Sequence, residues 1–84
     1  MITARQTRAA RALLGWTQET LAEKALVSLT ALKRLESPND LTVFESTYDQ
    51  VRRTLEGSGI VFLTSDQGEG VMIVHARGNR AKPA

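Results

Sequence analysis

The chain has 84 residues, 42% of them hydrophobic and 24% charged, with 11 Lys and Arg against 9 Asp and Glu. A domain of this length buries only ~60–65% of its unfolded surface, so one domain with a thin core is expected. With no cysteine there is neither a disulfide framework nor a thiolate metal site. No apolar run approaches the ~18–20 residues that span a bilayer, and Met1 to Gln6 lack the apolar stretch of a signal peptide, so a soluble, cytoplasmic protein with no membrane partner is expected.

Charge is distributed unevenly along the chain. Residues 1–35 hold six basic and two acidic side chains, and residues 36–75 hold two basic and seven acidic ones. Arg77, Arg80 and Lys82 follow in the last nine residues. Nucleic-acid binders concentrate cations on one face. Here only the N-terminal half and the tail can supply such a face.

Thr3-Ala4-Arg5-Gln6 reads as a capping box, with a hydroxyl at the N-cap and an amide side chain three residues later. Ala9, Ala10, Leu13 and Leu14 follow at helical spacing, and Gly15 supplies a left-handed stop, so a first helix is expected over 4–14. Thr17 caps a second helix over 18–25, with Trp16 and Leu21 placed as a hydrophobic staple and Leu21, Ala22 and Ala25 facing inward. Ser28 caps a third helix over 28–36, in which Leu32 and Leu35 share one face. The turn-forming run Ser37-Pro38-Asn39-Asp40 ends it.

Thr42-Val43-Phe44-Glu45 reads as another capping box, and Phe44, Tyr48, Val51 and Leu55 form one apolar stripe, so a fourth helix is expected over 43–56. Beyond Gly57 and Gly59 the character changes. Ile60–Thr64 and Val71–His75 favour strands, and Ser65–Gly70 separates them as a six-residue loop, which predicts a β-hairpin. Residues 76–84 read as a disordered basic tail. The expected architecture is therefore α+β: a four-helix bundle containing a helix-turn-helix, then a C-terminal β-hairpin, in one domain over 1–75.

Two short helices separated by a tight turn fit a helix-turn-helix, whose second helix can project into a major groove ~12 Å wide. The run Thr17-Gln18-Glu19-Thr20-Leu21-Ala22, then Ala25, Val27-Ser28, Leu32 and Glu36, resembles the pattern of the Xre (lambda-repressor-like, Cro-type) family of transcriptional regulators. Thr47, Val51, Leu55-Glu56, Gly59-Ile60 and Phe62 are similar to the fourth helix and first strand of a compact bacterial subgroup, so the resemblance covers roughly residues 3–64.

The resemblance implies transcriptional control by double-stranded DNA binding. Gln18 would donate to a phosphate, and the third helix would present Ser28, Leu29, Thr30, Lys33 and Arg34 to DNA. Arg5, Arg8 and Arg11 recur every three residues on the first helix. They read either as a solvated face or as a phosphate-contacting rim that releases counterions.

The chain departs from the family pattern at two positions. Leu26 stands where the family has its turn glycine, and Leu29 occupies the first exposed position of the third helix. A leucine can touch a thymine methyl but cannot read a hydrogen-bond pattern. The competing expectation is a regulator that binds protein, antiactivator- or antitoxin-like, with Leu26 and Leu29 in an apolar docking surface and a transcriptional activator or another protein as partner. Either class is compatible with a homodimer or heterodimer built on the hairpin's open strand edges.

No catalytic residue, metal ligand set or cofactor is expected. His75 is the only histidine, with no second ligand in a metal spacing. No Ser-His-Asp order, phosphate loop or paired-carboxylate site stands out, and an enzyme is not expected. Trp16 reads as a staple or core residue, and the other aromatics sit on apolar stripes, which argues against a stacking platform for single strands.

Overall fold

The computed structural model describes residues 2–39 and 41–75. Four helices come first: α1 (Ala4–Leu14), α2 (Gln18–Ala25), α3 (Leu29–Leu35) and α4 (Glu45–Gly57). Strands β1 (Ile60–Ser65) and β2 (Gly68–Ile73) then pair as a two-stranded antiparallel sheet, so the protein is α+β with a C-terminal hairpin. The sequence-predicted basic tail, residues 76–84, lies outside the described residues, as does Asp40 of the turn after α3.

The first two helices begin and end where their capping residues dictate. Thr3 Oγ1 accepts from the Gln6 amide at 3.1 Å and Gln6 Oε1 accepts from the Thr3 amide at 3.0 Å, which completes the capping box of α1. Thr17 accepts from the Thr20 amide at 3.0 Å in α2. Both helices finish in the same motif. The Gly15 and Trp16 amides donate back to Ala12 and Arg11, and the Leu26 and Val27 amides donate back to Glu23 and Ala22. This is the Schellman arrangement, in which the residue after the helix is left-handed. Gly15 has φ 71°, and Leu26 adopts φ 60° without being glycine.

The core is made of Leu21, Leu32, Leu35, Val51, Leu55 and Ile60, with Ala10, Ala22, Ala25 and Ile2 filling the closer approaches. Helix α2 packs on α3 and α4, α4 supports β1, and α1 lies against β2. Gln6 fastens the last of these contacts. Its side-chain amide donates to the carbonyls of Leu63 at 3.1 Å and Gly70 at 3.0 Å, a cross-strand pair, so one buried side chain caps α1 and grips both strands. Leaving such buried polar groups unpaired would cost ~1–3 kcal/mol each.

Several boundaries differ from the sequence reading. Helix α3 begins at Leu29 and ends at Leu35, with Ser28 and Glu36 as its caps rather than its ends. Helix α4 begins at Glu45 and ends at Gly57, not at 43 and 56. The Thr42–Glu45 capping box does not form: Phe44 is the N-cap, with no side-chain hydrogen bond. Because an N-cap residue has extended dihedrals, Phe44 leaves the predicted apolar stripe and points to solvent, and Thr47 joins Val51 and Leu55 on the buried face. On α1, Leu13 and Ala9 are exposed, whereas Ala10 is buried and Leu14 packs against the core as expected, and Gln6 and Thr7 complete the buried face.

The hairpin is tighter than the predicted six-residue loop. Pairing runs from Ile60↔Ile73 to Ser65↔Gly68, leaving only Asp66 and Gln67 in the turn. The strand partner is thus 68–73, not 71–75, and His75 lies beyond it. The ladder overrides the weak strand preference of Gly68 and Gly70, because placing Ile60 and Phe62 over the core sets the register for every later pair.

Candidate interaction face

Three residues, Leu26, Val27 and Ser28, connect α2 to α3. The orientation of this unit is held from behind by Glu36, at the C-terminal end of α3 and only 3% exposed. Its carboxylate accepts from Arg11 Nε and Nη2, both at 2.8 Å, and from Gln18 Nε2 at 3.1 Å. Its carbonyl accepts from Arg8 Nη1, and Arg11 Nη1 also donates to the Trp16 carbonyl at 3.1 Å. One acidic side chain therefore ties α1 and the first turn of α2 to the end of α3, and Arg11 extends the network to the α1–α2 connection. A two-pronged, charge-assisted contact of this kind fixes geometry as well as energy. The Glu36 hydrogen bonds hold the Arg11 guanidinium above the ordinary arginine value, outweighing the opposite effect of partial burial.

The residues singled out from sequence fall into two groups. Gln18 and Arg8 are committed to Glu36, and Arg5 pairs with Glu69 of the hairpin at 2.7 Å. Ser28 accepts from the Ala31 amide at 3.0 Å as the cap of α3. Leu29, expected in the exposed apolar patch, is half-buried and packs against the core. Three residues before the buried Leu32, it lies on the same side of α3 as that core residue. Thr30, Lys33 and Arg34 are exposed on α3, and Arg34 Nε donates to the Thr42 carbonyl at 3.4 Å.

Leu26 is exposed, as the sequence reading expected. It keeps 82% of its surface open while holding a left-handed backbone. Phe44, which sequence reasoning placed on the apolar stripe, is 81% exposed. A shallow groove runs beside it, with Thr30, Ala31 and Arg34 of α3 facing Val43, Phe44 and Thr47. Ser28 borders the same groove, two residues after Leu26. The available signal for Phe44 was its position directly before Glu45-Ser46, which also fits the last residue outside a helix. Periodicity alone does not separate that position from the first residue inside.

Trp16 is half-buried against the core, with Lys24 Nζ 5.3 Å from its ring centroid. Among the described residues no group of three or more His, Cys, Asp or Glu is placed to hold a metal ion, and no helix is long and apolar enough to cross a membrane. Compared with known proteins, the chain matches no family profile and no curated protein.

Proposed function

We propose that this chain is a cytoplasmic transcriptional regulator of the helix-turn-helix class, Xre-like in plan, that acts by binding a partner protein through α3 and the start of α4. The observation that carries this reading is the pair Leu26 and Phe44. Each is more than four-fifths exposed at a backbone position that favours a different residue type: glycine at the left-handed turn, and Ser, Thr, Asp or Asn at the N-cap. An exposed apolar side chain that also breaks a local rule is expected where function outweighs stability. A transcriptional activator is the partner class this reading favours. The hairpin adds a surface suited to a dimer, since Val61, Leu63 and Met72 are exposed on its outer face.

A second reading, double-stranded DNA binding, is favoured by Thr30, Lys33 and Arg34 exposed on α3. Against it, Arg8 and Gln18 already hold internal partners, and residues 1–75 carry eight basic against nine acidic side chains. The two readings separate in a titration of the isotope-labelled chain with the promoter duplex nearest its own gene, at two salt concentrations. Protein docking predicts weak, sequence-independent shifts that vanish at the higher salt. Saturable, sequence-dependent shifts of the α3 amides with a steep salt slope would overturn it in favour of DNA.

A further inference from the structure

Resting on the protein-docking reading, we infer that the groove between α3 and the start of α4 takes an amphipathic segment of another protein that combines a bulky apolar side chain with nearby carboxylates. Shape gives the first half of this specification. Ala31, Thr30, Thr47 and Val43 are small or β-branched, so they leave room for a large side chain, and the exposed Phe44 ring forms one wall for it to pack against. Aromatic anchors of this type dominate interface energetics once they are covered.

Charge gives the second half. Arg5, Arg11, Arg52 and Arg53 each have a carboxylate within ion-pair distance. Among the described residues none lies that close to Lys33 or Arg34. Arg34 is held on the groove rim by its bond to the Thr42 carbonyl, whereas Lys33 is exposed on α3 outside the groove lining. The Arg34 charge is therefore presented to the occupant and complements an acidic segment while disfavouring a basic one.

The test selects random peptides from a displayed library against the immobilised full chain and, in parallel, against Phe44→Ser and Arg34→Glu. Serine is a preferred N-cap, so Phe44→Ser keeps α4 intact, and the exposed Arg34 can be reversed without opening the core. Peptides enriched by the unaltered chain should carry Leu, Ile or Phe together with Asp or Glu. They should lose at least about tenfold in affinity on Phe44→Ser, and Arg34→Glu should shift the selection toward Lys- and Arg-bearing peptides. Apolar peptides that depend on Phe44 but show no acidic bias would overturn the assigned partner chemistry and leave the docking reading standing. Failure to enrich any Phe44-dependent peptide would overturn the groove as a docking site. If the promoter duplex then moves the α3 amides saturably and sequence-dependently, the protein-docking reading falls with it.

Discussion

If Leu26 and Phe44 are kept for a partner, removing both should make the isolated protein more stable. Leu26 is left-handed at φ 60°, and a left-handed non-glycine residue costs roughly 1–2 kcal/mol. Substituting glycine relieves that cost but adds about 0.5–1 kcal/mol of unfolded-state entropy. With 82% of the side chain exposed, little burial is lost, and the two backbone hydrogen bonds of the Schellman motif are retained. The net gain for Leu26→Gly is about 0.5–1 kcal/mol. Phe44→Ser exchanges an N-cap without a side-chain bond for one that can accept from the first turn of α4, a gain of about 1 kcal/mol. Together they give roughly 1.5–2 kcal/mol, or about 6–16 °C in Tm for a domain of this size. Calorimetry and urea unfolding of the double variant, with an unchanged m-value, would measure this. A double variant that melts at or below the parent temperature would show that these side chains stabilise the free protein, and would remove the reason to assign them to a partner.

Three further outcomes test the Glu36 network and the hairpin. Glu36→Ala should cost roughly 2–4 kcal/mol in urea unfolding, somewhat less than a fully buried pair because the Arg11 side chain remains 20% exposed; a loss below about 1 kcal/mol would mean the network does not hold the helices. Since the Arg11 value is raised, its contribution is complete at every pH below the ordinary arginine value and is lost only as pH rises through the raised one, so no arginine-linked loss should appear between neutral and moderately alkaline pH. Gly59→Ala should unseat the hairpin: the added methyl group would sit 2.9 Å from the Val74 carbonyl oxygen at a φ of 100°. Strain and overpacking together come to roughly 2–4 kcal/mol, and slow amide exchange in β1 that survives the change would contradict this.

Local chemistry was enough to place most of the elements. The capping hydroxyls of Thr3, Thr17 and Ser28, the stop at Gly15 and the turn run from Ser37 act over a few residues, so the first three helices could be read from the chain within one residue at each end. The change at Ile60 from helical spacing to strand-favouring residues likewise announced the hairpin. The exposure of Leu26 was legible from its place at the turn glycine of the resembled pattern, although Val27 beside it packs against the core. Tertiary structure decided what depends on partners far apart in sequence. Gln6 looked like a cap and also grips two carbonyls 57 and 64 residues away. Arg8 and Arg11 read either as a solvated face or as a phosphate-contacting rim, and the resemblance gave Gln18 a phosphate, but Glu36 draws all three inward. Phe44 fitted an apolar stripe, yet the backbone turned it outward as the cap of α4. A side chain's spacing says which neighbours it can reach, while its commitment to one of them depends on groups that only the folded chain brings within bonding distance.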